Sequence, residues 1–131
     1  MIKMKIEEII RYWSLSADND WKVAGHLFDK KDYSYALFFA HLYLEKLLKA
    51  VVVKETGEQA PPIHNLRLLA KQSNLSLSDE QLEFLLQVNE YNIRTRYPDF
   101  KFKFKQECTK EFVENELEKI KEFGIWLKKK L

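Results

Sequence analysis

The sequence predicts an all-α protein: an up-and-down antiparallel helix bundle of four to five main helices plus a short N-terminal helix. Three observations carry that prediction. Glycine and proline number only three each in 131 residues, so long stretches run without a breaker. Those stretches are rich in leucine, lysine, glutamate and alanine, which lose little on entering a helix. Most of the breakers also fall between the periodic segments, with Gly57, Pro61 and Pro62 in one group and Pro98 in another. Gly25 and Gly124 lie inside helical patterns, each at a cost of about 1 kcal/mol relative to alanine.

A short first helix is expected over 2–13, with Ile6, Ile9, Ile10 and Trp13 on one face. Ser16 suits the N-cap of a second helix over 16–30 that turns Trp21, Ala24 and Phe28 inward. Asp32 caps a third helix over 33–55, apolar nearly all round and therefore the central buried element. Residues 56–63 read as a loop, and 65–72 as a fourth helix with Leu66, Leu69 and Ala70 inward. Ser78, followed three residues on by Gln81, makes a capping box that opens a fifth helix reaching Arg94. A sixth helix over 109–130 buries Phe112, Leu117, Ile120, Phe123 and Leu127. Short connections imply antiparallel packing around the third helix.

The exception is Phe100-Lys101-Phe102-Lys103-Phe104-Lys105, whose period of two puts rings on one face and ammonium groups on the other. It is expected either as an extended loop resting its rings on the bundle, or as an exposed arm. Such an arm would serve dimerisation or nucleic acid, with rings stacking on bases and lysines meeting phosphates.

The length fits one domain, 1–131, with its own core. A net charge of +2 makes no demand for nucleic acid, so any basic surface is local. Glu45, Lys46 and Lys49 interrupt the longest apolar run, which is too broken to cross a bilayer. The first residues lack the apolar core and cleavage site of a signal peptide. Cys108 is the only cysteine, which excludes an intrachain disulfide and points to a reducing cytoplasm. His26, His41 and His64 lack zinc-type spacing, and no Gly-rich phosphate loop or G-x-S-x-G elbow occurs. No metal or cofactor is expected.

Four groupings could carry chemistry. Ser34, His41, Glu45 and Lys49 fall on one side of the third helix, with Lys46 about 100° around from Glu45. They form either a solvent-facing stripe held by a Glu45–Lys49 pair or the floor of a cleft where Lys46 or Lys49 attracts an anion. In Pro61-Pro62-Ile63-His64-Asn65-Leu66, the histidine and asparagine stand at a helix start. Free N–H groups there could hold a phosphate, and a plain Asn65 N-cap explains the same letters. In Tyr91-Asn92-Ile93-Arg94-Thr95-Arg96-Tyr97-Pro98-Asp99, Pro98 ends the helix at Tyr97. The two arginines there either meet the helix dipole or join Lys101, Lys103 and Lys105 in binding an anion or RNA, with Asp99 the only acid among them. Cys108 stands near a helix start, but no histidine follows it, so it reads as a buried or incidental thiol.

The ordered set Tyr35-Ala36-Leu37-Phe38-Phe39-Ala40-His41-Leu42-Tyr43-Leu44-Glu45-Lys46-Leu47-Leu48-Lys49-Ala50, Pro61-Pro62, His64-Asn65-Leu66, Leu69-Ala70 and Arg96-Tyr97-Pro98-Asp99 resembles the HEPN family. Trp21-Lys22-Val23-Ala24 and the closing helix fit too, so the likeness spans nearly the whole chain. It implies a helix bundle, usually a homodimer, that binds nucleotides or RNA. It also implies a minimal nucleotidyltransferase as partner in a toxin–antitoxin pair. Many relatives are metal-independent ribonucleases with an arginine followed after four to six residues by histidine. Here those positions hold Asp99, Phe100 and Lys101 after Arg94, and Lys101, Phe102 and Lys103 after Arg96. The leading expectation is therefore a binding module using Lys46, Lys49, His64, Arg94 and Arg96, supported by His41, Glu45, Tyr97 and Asp99. The rivals are a ribonuclease in which Arg96 stabilises phosphate and His64 is the base, and a purely structural dimerisation domain.

Overall fold

The computed structural model of the chain describes residues 5–131. They form α1 (Ile6–Asp29), α2 (Tyr33–Thr56), α3 (Leu66–Gln72), α4 (Asp79–Arg96), α5 (Pro98–Glu107) and α6 (Lys110–Lys128), with no strand among the described residues. The all-α bundle expected from the sequence is the fold observed. None of these helices is long and apolar enough to cross a membrane.

Every other long helix packs on α2. Leu37, Leu44, Leu47 and Leu48 are fully buried, and truncating any one of them to alanine would cost about 2–5 kcal/mol. α1 runs antiparallel to α2, as the pairs Trp21–Tyr43 and Phe28–Tyr33 show. The hairpin between them is tight enough to hold Lys31 at φ 67°. α2 ends at Gly57, whose left-handed φ of 70° lets its N–H close on the Val53 carbonyl at 2.8 Å. α3 leads into α4, which returns along α2, and α6 completes the bundle. Gly124 on α6 permits that last approach: a Cβ there would stand 2.6 Å from Cζ of Tyr43.

Two caps read from the sequence form as expected: Asn65 accepts from the N–H groups of Arg67 and Leu68, and the Ser78–Gln81 capping box is complete. Asp32 stands at the start of α2 but its side chain makes no cap hydrogen bond, and Thr109, which caps α6 by accepting from the N–H of Phe112, was not foreseen as a cap.

Three expectations need correction. The first and second predicted helices are one continuous α1; their expected start over 2–4 lies outside the described residues. Ser16 is not a cap: it lies mid-helix and accepts a 2.8 Å hydrogen bond from Nζ of Lys46. No breaker separates the two segments, so packing on α2 carries the helix through Ser14–Asp20 despite weak local propensity. The Phe/Lys segment is neither extended nor strand-like but the helix α5. Pro98 at its first turn has a backbone suited to starting a helix, and the lysines favour continuing one. On a helix, alternate residues point about 200° apart, so the rings cannot share a face. Phe104 is buried, whereas Phe102 is 75% exposed. On α6, Val113 takes the inward place expected of Phe112, which sits at the surface.

Candidate anion-binding site

Phe38, His41, Glu45 and Lys49 recur at steps of three and four on α2, which places them on one face. That face is covered by α1, by the loop before α3 and by the end of α4. The stripe is therefore not solvent-facing: His41, Glu45 and Lys49 are 0%, 3% and 6% exposed. Nζ of Lys49 lies 3.2 Å from Oε2 of Glu45 and 5.1 Å from the centre of the Trp13 ring. Nδ1 of His64 lies 3.0 Å from the same carboxylate oxygen, and the rest of that imidazole faces outward.

His41 is the least satisfied group in this cluster. Its Nε2 stands 4.0 Å from Oε1 of Glu45, and neither ring nitrogen nor that oxygen has a hydrogen-bond partner among the described residues. Burial lowers its pKa to about 4. Glu45 and the backbone of His64 pull it back up, while the charges of His64 and Arg96 push it further down. The imidazole is thus neutral near pH 7, with one donor and one acceptor left unmade, at about 1–3 kcal/mol each. Phe38 stacks on it at 6.4 Å between ring centres, and the Arg96 guanidinium lies 5.4 Å from the centre of the Phe38 ring.

The five cations expected to bind an anion fare differently. Lys49 is spent on Glu45, and Lys46 on Asp20 at 2.7 Å and on Ser16. Arg94 does not join the cluster: it pairs with Glu107 at 2.5 Å and lies over Phe104 at 4.8 Å. His64 shares Glu45 with Lys49. Arg96 is exposed and, among the described residues, has no carboxylate within ion-pair distance. Tyr97, 57% exposed, closes α4 beside it, and Asp99 lies in the first turn of α5. Phosphate capture by the first N–H groups of α3 gains nothing here. Asn65 takes those of Arg67 and Leu68, and Asn89 takes that of Leu66. Cys108 is buried, its thiol pushed up to about 12 by burial, and no nucleophile results.

Trp13, Asp20 and Phe38 belong to this site and were not foreseen. The spacing from Phe38 to His41 was available in the sequence. Nothing in it joins Trp13 to Lys49, because that contact depends on how α1 lies along α2.

A family model described as HEPN domain matches residues 10–130. No curated protein matches the chain. Among solved structures, the fold is similar to the crystal structure of TT1696 from Thermus thermophilus, with a TM-score of 0.77 and 21% identity. That likeness covers 93% of this chain and 98% of the other, and it is a likeness of fold.

Proposed function

From the premise that the chain belongs to the HEPN domain family, we propose that it is an anion-binding module whose ligand is a nucleotide or RNA phosphate. It acts as a homodimer and beside a minimal nucleotidyltransferase, as in a toxin–antitoxin pair. One observation carries the anion site: Arg96 is a guanidinium without a carboxylate partner among the described residues, 5.4 Å from the centre of the Phe38 ring that also stacks with the unsatisfied His41. An exposed guanidinium without a counter-charge has its planar fork available to a phosphate. His64 borders the same face of α2 through its contact with Glu45 and has donor capacity left for a phosphate, and Tyr97 offers a ring for a base. Binding is tested by fluorescence anisotropy with a labelled oligoribonucleotide, and by calorimetry with ATP, at low salt. Arg96→Ala weakens binding roughly tenfold or more, whereas Arg94→Ala leaves it nearly unchanged. A wild-type chain that binds neither probe overturns the reading and leaves a structural dimerisation domain.

A second reading rests on the Glu45–His64 contact. A carboxylate on Nδ1 fixes an imidazole's tautomer and leaves Nε2 free for proton transfer, as in hydrolytic dyads. In this ribonuclease reading Arg96 stabilises phosphate while His64 acts as base. Cleavage of labelled tRNA in EDTA that disappears in both Arg96→Ala and His64→Ala establishes it. Binding without cleavage rejects it.

A further inference from the structure

α4 and α6 both pack on α2 rather than closely on each other, and long side chains bridge the space between them. Phe84 meets Phe123 at 6.0 Å, and Gln87 and Tyr91 reach the buried Glu116. Outside these bridges runs a groove, and its end nearest the start of α4 opens into a cavity of about 570 Å³. Three rings line that cavity: Phe84, Phe123 and Trp126, the last set edge-on to Phe123 at 5.5 Å.

The polar groups lining the cavity are of two kinds. Gln81 is held in its capping box with Ser78, Gln87 by Tyr91 and Glu116, and Lys119 by Glu116 at 3.4 Å. All three are engaged within the fold. Glu80, Glu83 and Glu122 are exposed and enter no ion pair among the described residues. Glu80 and Glu83 stand about one turn apart on α4, and Glu122 lines the cavity from α6. The uncommitted charge here is thus three carboxylates around three aromatic rings, on a chain whose net charge is +2.

Such a site repels phosphate and nucleic acid, and it selects a cation that also carries a flat apolar surface. Arginine has both properties: its guanidinium stacks on an aromatic face while its edge donates to carboxylates. Trp126 already attracts one cation of the chain itself, with Nζ of Lys130 4.8 Å from the ring centre. We propose that this cavity docks an arginine-bearing segment of a partner protein, with a guanidinium stacked on Phe84 or Trp126 and paired with Glu80, Glu83 or Glu122. The volume falls within the range of ligand pockets, roughly 300–1,000 Å³, and suits a few side chains rather than a folded surface. Past Gln87 a second cavity of about 520 Å³ adjoins, so an extended chain has room to continue along α4. The docking site is separate from the anion site. Arg96 stands about 200° around α4 from Arg94, which lines the far end of the groove.

The test is fluorescence anisotropy on the full chain with a labelled hexapeptide of alternating arginine and leucine. Salt at about 0.1 M screens diffuse attraction. The wild type binds this peptide and not its counterpart with glutamate in place of arginine. Glu80→Gln, Glu83→Gln and Glu122→Gln together weaken binding roughly thirtyfold or more, and Trp126→Ala roughly tenfold. Glu111→Gln, Glu114→Gln and Glu118→Gln together remove the same charge from exposed positions of α6 and leave affinity within about twofold. Circular dichroism confirms that each variant keeps its helicity. In a nitrogen–proton correlation spectrum the Trp126 indole resonance, identified by its loss in Trp126→Phe, moves when peptide is added. A wild type that does not bind, an equal loss in the control triple, or an unmoved Trp126 indole overturns the proposal. So does a Trp126 indole that moves with protein concentration alone, which would assign the cavity to a second copy of the chain. Arg96→Ala leaves peptide binding intact, and the groove triple keeps RNA or ATP binding, so failure of this site and failure of the anion site are told apart.

Discussion

Glu45 on α2 and Glu116 on α6 are both buried glutamates, 3% and 2% exposed, yet their surroundings differ in kind. Glu116 accepts from the Tyr91 hydroxyl and the Gln87 amide and pairs with Lys119 at 3.4 Å. Neither of its oxygens is left orphaned. Burial and the contact with Glu116 raise the Tyr91 pKa, so the phenol stays a proton donor. The network is complete, and it does one thing: it ties α6 to α4 across the groove. Glu45 gathers Lys49 and His64 on a single oxygen, while its other oxygen and both nitrogens of His41 go unmade. Buried polar groups in native proteins are nearly always satisfied. A closed network of this kind is a structural pin, and an open one beside a guanidinium with no acid partner among the described residues is what motivates the proposed site.

The sharpest way to break this contrast is Glu45→Ala. It leaves the nearly buried Lys49 ammonium without its counter-charge and is expected to cost about 3–5 kcal/mol in urea unfolding. Replacing both partners, as Glu45→Leu with Lys49→Met, should restore most of that stability while leaving the site without its carboxylate. A loss below about 1 kcal/mol in the single variant would mean that water already solvates the pair.

Next in size is the pH dependence assigned to His41. The unfolded imidazole takes a proton near pH 6.5, and the folded one only at about 4. Between those values the unfolded chain binds more protons, so stability present above pH 6.5 drains away as the pH falls towards 4. The full loss is roughly 3 kcal/mol. His41→Leu should remove that portion, and urea midpoints at pH 7 and pH 4.5 should lie closer together than in the wild type. An unchanged gap would show that other groups account for the acid sensitivity.

The smallest effect is expected at the closed network. Glu116→Ala strands the Tyr91 hydroxyl and the Gln87 amide at a cost of about 1–3 kcal/mol, and Glu116→Gln recovers part of it. Neither change should alter RNA or ATP binding in the anisotropy and calorimetry measurements. A binding defect in Glu116→Gln would place function in the groove and erase the distinction between the two glutamates.

Much of the fold was legible because its signals are local. The scarcity of breakers, the all-round apolar α2 and the caps at Asn65 and Ser78 each involve residues within a turn or two of one another. The all-α class and the ends of four helices followed. So did the termination of α4 at Tyr97, since Pro98 restricts the residue before it wherever the chain lies. What misled was a pattern read on the wrong period: alternating Phe and Lys suits a strand, but nothing on either side offers one a partner, and the segment is the helix α5.

The candidate site depended on contacts that local pattern does not contain. One stretch supplied His41, Glu45 and Lys49, and their helical spacing was plain, but whether they faced water or the interior was fixed by α1 lying along α2. Arg94 and Arg96 read alike in the chain. A rotation of about 200° between them sends one to Glu107 and leaves the other over Phe38 without an acid among the described residues. Side-chain type and spacing set which groups can ionise and which helix face they share. Burial and pairing, which decide charge state and availability, arise only when distant segments pack together.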